Sequence, residues 1–254
     1  MTDTSSEHRS RVRIEPSPKR VRAYLGGTPI ADSSRAMLVW EIPYYPAYYF
    51  PSEDVRIDLF VDSGETKRSP SRGDGHIYDI KSGDRIAEKA AVRHLDSPVE
   101  ELRDLVTFSW DALDHWFEEN EEVRVHARSP YSRVDALASD RHVQVLVDSE
   151  TVADSNHATL LFETGLPTRY YLPKPDIRMD LLTPTEAVTS CPYKGDARYW
   201  SVTVGGTTHE DLAWGYDFPL PESIRVAGLV CFYNEKVDLV LDGVPLDRPK
   251  SPFS

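Results

Sequence analysis

The sequence predicts a mainly β protein made of two tandem copies of a small antiparallel domain, barrel-like or sandwich-like, with little helix. Three observations lead there. Short alternating apolar stretches end at turn pairs such as Gly26-Gly27, Asp148-Ser149 and Gly205-Gly206. Proline is spread through the chain, 19 residues of 254, and breaks the stretches where a long helix would form. An ungapped internal register ties the two halves together.

The register is read from residue identities. Ala31-Asp32-Ser33 recurs as Ala153-Asp154-Ser155, an offset of 122 (154 − 32). The same offset pairs Glu41 with Glu163, Tyr48-Tyr49 with Tyr170-Tyr171, and Pro51 with Pro173. It pairs Asp54, Arg56 and Asp58 with Asp176, Arg178 and Asp180, and Gly73-Asp74 with Gly195-Asp196. So long a register points to duplication. The expected layout is a mobile tail over 1–19, a first repeat over 20–128, a linker over 129–140 and a second repeat over 141–248. The two repeats are expected to form an intramolecular pseudo-dimer.

Each element follows from local chemistry. Val21 to Leu25 and His142 to Val147 alternate as opening strands, each followed by a tight turn and a return strand. Ala36 to Trp40 and Ala158 to Phe162 are apolar runs that suit a strand or a short buried turn. Pro167, Pro173 and Pro175 exclude a long helix after the second of these. Asp176 to Leu182 reads as a strand, Cys191 to Gly195 as a turn, and Ala197 to Val204 as another strand. The ends of the copies conflict. Phe232 to Asp238 matches Phe108 to Asp114 at an offset of 124, and Val237, Leu239 and Leu241 alternate like a strand. In the first copy, Ser109 is placed to cap a helix carrying Trp110, Leu113 and Phe117.

Composition narrows function. A net charge of −13 repels nucleic acid and anionic lipid, so neither is an expected partner. No apolar run is long enough for a membrane helix, and the polar N-terminus lacks a signal-peptide core, so a cytoplasmic location is expected. Two cysteines make neither a disulfide framework nor a four-thiolate zinc site, and no metal ligand set or cofactor motif stands out.

Several residues have chemical potential. On a strand, Asp176, Arg178 and Asp180 project from one face, as a salt-bridge ladder or as a site where acids hold a cation and Arg178 grips an anion. Tyr170 and Tyr171 point to opposite faces, one into a core and one towards a cleft. Glu163 follows an apolar run and is a candidate acid or base, or a partner of Arg169 or Arg178. Cys191-Pro192-Tyr193-Lys194-Gly195 is a tight turn in which Lys194 favours a nucleophilic Cys191 thiolate or binds an anion. The alternative is inert packing of the cysteine. The first copy has Ser69 and Arg72 there, so the second copy is the expected working one. Trp200, Trp214 and Tyr216 suit either a core or the aromatic wall of a ligand site.

The segments LLFETGLPTRYYLPKPDIRMDLL, CPYKGDARYWSV, LAWGYDFPLPE and VCFYNEKVDLVLDG resemble the bacterial domain-of-unknown-function family 427, in a tandem arrangement over about residues 20 to 248. The resemblance implies compact, mainly antiparallel β domains, and a nucleotidyltransferase label has been attached to the family. Two functions are expected. One is a small-anion site, nucleotide-like in ligand class, with Cys191 and Glu163 catalytic and Tyr170, Arg178, Lys194, Trp200 and Trp214 binding. The other is a non-catalytic binding or scaffold module in which these groups are structural.

Overall fold

The computed structural model describes residues 12–254, which fall into two compact units meeting at Ser129/Pro130. Each unit is a seven-stranded antiparallel sheet faced by a four-stranded one. In the second unit the large sheet runs, in spatial order, Val134–Ala138, Thr159–Glu163, Arg169–Leu172, Val230–Phe232, Thr207–Gly215, Gly195–Val204 and Leu182–Cys191. Its partner runs Glu150–Ser155, Val143–Val147, Asp238–Leu241 and Val244–Leu246. The first unit repeats both orders, with Arg13–Pro16, Met37–Trp40, Ala47–Pro51, Leu105–Phe108, Arg85–Arg93, Gly75–Ser82 and Phe60–Lys67 in the large sheet. The smaller sheet there is Glu121–Glu122, His115–Glu118, Val21–Leu25 and Thr28–Ser33. The sheets stay open, so the sandwich alternative holds and the barrel does not.

Duplication extends to the irregularities. Pairing slips between Asp62 and Thr66, and between Pro184 and Val188. It slips again between Tyr78 and Ile80, and between Trp200 and Val202. All lie at the offset of 122. So do Lys89 and Asp211, both held at positive φ (51° and 48°). Their amides are satisfied by the side chains of Asp79 (2.7 Å) and Ser201 (3.2 Å), themselves 122 apart. A bulge leaves a backbone donor without a ladder partner, and a short polar side chain across the strand supplies one.

The prediction for residues 176–182 is corrected. Lys174–Asp176 and Met179–Leu181 are 3-10 turns, and the strand starts only at Leu182. Pro175 has no amide hydrogen to give a ladder, and it sits comfortably in the first turn of a helix. Asp176, Arg178 and Asp180 therefore do not share a strand face. The conflict at residues 109–117 resolves towards strand. Trp110–Ala112 is one 3-10 turn without a side-chain cap, and His115–Glu118 pairs with Val21–Leu25. Two strands lie in segments read from sequence as tail and linker. Arg13–Pro16 pairs with Met37–Trp40, and Val134–Ala138 pairs with Thr159–Glu163. The start of the expected tail lies outside the described residues.

The period-two alternation gives each large sheet two lined faces. The inner face of the second unit, with Leu160, Leu172, Val202 and Phe232, packs on Val143, Val145 and Leu239 of the small sheet. The outer face carries a separate cluster of Leu161, Tyr171, Tyr199, Trp214, Tyr216 and Cys231. Burying a leucine removes its whole side chain from water, and truncation leaves a cavity behind. Leu172→Ala, at a site with no exposure, is expected to cost the second unit about 2–5 kcal/mol, read from urea denaturation of the full chain.

Candidate functional site

The outer face of the second unit concentrates the chemistry. Thr159–Glu163 alternates so that Glu163 lies on the same side as Leu161. The turn after Leu182–Cys191 carries Lys194, whose carbonyl accepts from the Leu220 amide at 3.1 Å. Gly195 completes the turn at φ +94°, and a Cβ there would meet the Phe218 carbonyl oxygen at 3.3 Å. The turn thus brings the Lys194 ammonium onto Glu163 Oε2, forming an ion pair with both side chains about nine-tenths buried (12% and 10% exposed). Lys194 is the partner of Glu163. Arg169 and Arg178 have other partners.

Around this pair stand tyrosine hydroxyls. Trp214 Nε1 donates to the Tyr171 hydroxyl at 3.2 Å, and Tyr171 and Tyr216 lie with ring centroids 6.4 Å apart. Burial raises the pKa of Tyr171 and Tyr216 above the ordinary phenol value, reinforced by Cys231 for the first and by Cys191 and Glu163 for the second. Both are neutral donors at physiological pH. Cys191 is half-buried at the end of its strand. Cys231 is fully buried and its thiol is pushed up to about 12, so it is a packing residue.

A second charged pair on this face is deeper. Arg169 Nη1 and Nη2 donate to the two Glu235 carboxylate oxygens at 2.7 and 2.8 Å, and Nη1 also reaches Asn234. The Arg169 side chain is 7% exposed and that of Glu235 0%. Burial opposes both charges, yet the mutual hydrogen bonds prevail: Glu235 is held below the usual carboxylate range and Arg169 above its own.

The predicted site residues therefore split. Glu163, Lys194, Cys191 and Trp214 belong to the outer face. Tyr170 and Trp200 pack against the inner core, with the Lys174 ammonium 5.5 Å from the Trp200 ring. Arg178 binds Asp180 through two hydrogen bonds (2.9 and 2.7 Å), and Asp176 accepts from the Ser155 hydroxyl at 2.6 Å. Arg56–Asp58 and Asp54–Ser33 repeat those bonds in the first unit. Among the described residues no cluster of three or more metal-ligating side chains occurs. Tyr216, read with Trp214 as core or aromatic wall, lies on the outer face, whereas Glu235 and Tyr233 were not anticipated. Arg169 was anticipated only as a partner for Glu163. Offset arithmetic holds the missing signal, because position 169 corresponds to Ala47, so the second copy carries a buried charge that the first does without.

The first unit keeps the frame with other groups. Arg72 pairs with Glu41 and donates to the Tyr49 hydroxyl at 2.9 Å, and Tyr49 donates to Glu41 at 2.6 Å. His94 occupies the place of Tyr216 and is 2% exposed, with neither ring nitrogen hydrogen-bonded. Gly75 makes room for it, since a Cβ would come within 2.9 Å of His94 Cε1 and 2.6 Å of Val92 Cγ1.

Two outcomes follow. Glu235→Ala strands the Arg169 charge and is expected to cost about 3–5 kcal/mol in chemical denaturation. Burial, then the Arg72 charge, lowers the His94 pKa from the ordinary value of 6.5. The unfolded chain therefore takes up this proton first. The contribution of neutral His94 is full above pH 6.5 and is lost as the pH falls from there through the lowered folded-state value. His94→Gln is expected to flatten the dependence of melting temperature on pH just below 6.5.

Among the described residues no helix is long and apolar enough to cross a membrane. Comparison with curated proteins finds no match. The family model described as a domain of unknown function (DUF427) matches twice, over residues 13–119 and 135–243, and its two matches fall on the two sheet-rich units. The chain belongs to the DUF427 family and carries its domain in two tandem copies.

Proposed function

We propose that the second copy binds a small anionic molecule, nucleotide-like in class, on the outer face of its large sheet, with Lys194 as the anion contact and Tyr171, Tyr216 and Trp214 around it. One observation carries this reading. An ammonium and a carboxylate, both largely buried, stand beside neutral phenols on the outer face, in a cluster separate from the one packed between the two sheets. Removing two charges from water is costly, and a well-packed apolar pair would serve stability as well or better. Glu163 serves as the resident counter-ion that an incoming anion replaces. Cys191 and Glu163 are the groups for covalent or proton-transfer chemistry on such a ligand. Tyr170, Arg178 and Trp200, engaged elsewhere, drop out of the site.

The competing reading, a non-catalytic scaffold, draws on the Arg178–Asp180 and Asp176–Ser155 bonds, which recur in both copies as fold requirements. The two separate in a thermal-shift screen of nucleotides, sugar phosphates and other small anions, with and without magnesium. A specific ligand at 100 times its dissociation constant adds about 2.7 kcal/mol to stability. The expected result is a shift in the wild type that Lys194→Ala abolishes. Absence of a shift with every anion favours the scaffold. Loss of turnover, but not of the shift, in Cys191→Ala assigns that thiol to catalysis.

A further inference from the structure

One part of the outer face is already occupied by a ring from the same chain. The Arg169 guanidinium carbon lies 5.4 Å from the Trp214 ring centroid, 5.9 Å from that of Tyr233 and 5.5 Å from that of Phe253. Trp214 and Tyr233 are 4.4 Å apart at a tilt of 42°, and Phe253 stands 6.2 Å from Tyr233. Glu235 and Asn234 use the edge of the guanidinium. Its faces are thereby left to aromatic rings, which is how a planar delocalised cation attracts π systems.

Phe253 differs from its neighbours. It is 45% exposed, whereas Arg169 and Trp214 are 6% and 7% exposed. It belongs to no strand. The segment 250–254 is tied down by the Ser251 hydroxyl donating to Glu235, and otherwise by short-range bonds such as the Phe253 amide to Ser251 Oγ at 3.1 Å. No ladder hydrogen bond is lost when this cover leaves. The first copy has Ala47, Val92 and Ser109 where the second has Arg169, Trp214 and Tyr233, so the arrangement serves no requirement of the shared fold.

We propose that Arg169, Trp214 and Tyr233 form a subsite for a planar aromatic ring, which Phe253 fills as an intramolecular stand-in. The inference rests on the reading that this face takes a small molecule, and it adds the shape of one part of that molecule. Ring faces and a guanidinium face select flat π systems over puckered rings of equal size. Phe253 competes with the ligand at a high effective concentration, so its removal raises the apparent affinity.

The test titrates the full chain and its Phe253→Ala variant with indole, benzoate and cyclohexanecarboxylate by calorimetry. Phe253→Ala is expected to bind indole and benzoate at least about tenfold more tightly than the wild type, with cyclohexanecarboxylate unchanged. Adding Trp214→Leu, or Tyr233→Leu if the former does not fold, is expected to erase the gain. Equal binding of indole to wild type and Phe253→Ala overturns the proposal, as does an equal gain for cyclohexanecarboxylate. Indole is uncharged and independent of Lys194. An indole gain without any response to anions therefore keeps the subsite and rejects the anion reading. An anion response without an indole gain does the reverse.

Discussion

One row of side chains across the large sheet of the second unit holds its outer face together. Tyr171 pairs with Cys231, Cys231 with Trp214 and Trp214 with Tyr199, straight across four strands. Cross-strand neighbours on one face are the unit by which a sheet is stabilised, and this row is aromatic with one small thiol where a strand must pass closely. Glu163, Lys194 and Arg169 lie around it. The first unit runs the same row as Tyr49, Thr107, Val92 and Ile77. The frame is shared, and what fills it sets the two copies apart.

That difference concerns how buried charge is compensated. In the first copy a guanidinium, a carboxylate and a phenol close on one another, and the histidine beside them stays neutral. In the second an ammonium takes the guanidinium's role. A point charge cannot match a carboxylate with a rigid fork of donors. A further arginine, absent from the first copy, engages a carboxylate on the same face. The second copy thus holds two buried ion pairs on this face, while the counterpart pair of the first, Arg72–Glu41, is more exposed to water.

Much of the fold was legible because period-two alternation and turn pairs are local signals. Gly26-Gly27 and Asp148-Ser149 adopt the positive φ that tight hairpins demand, and Val143–Val147 runs as read. Residues 176–182 were misread because Asp, Arg and Asp at alternate positions imitate a strand face, while the 3-10 turns owe their form to prolines and to bonds from Ser155 that lie far off in sequence. Of the candidate site, the Glu163 and Lys194 positions were visible through the duplicated register, though not as partners of each other. Tyr170 and Trp200 were assigned to ligand although they face the inner core, because identity alone does not tell which side of a strand is covered. Glu235 was invisible, since a buried acid looks like any other until the arginine opposite it, 66 residues away, is placed.

Duplication also bears on how the chain reaches its native state. In each unit the small sheet is closed by a late strand returning to an early one, His115–Glu118 onto Val21–Leu25 and Asp238–Leu241 onto Val143–Val147. Such distant pairings make folding slow, because loop entropy is lost before the contacts form. Here the early strand of either copy meets two late strands of closely similar pattern. During synthesis the first unit completes its own set before the second late strand emerges, which resolves the choice by order of appearance. Refolding from denaturant removes that order, and crossed pairing between copies becomes the characteristic kinetic trap of this architecture.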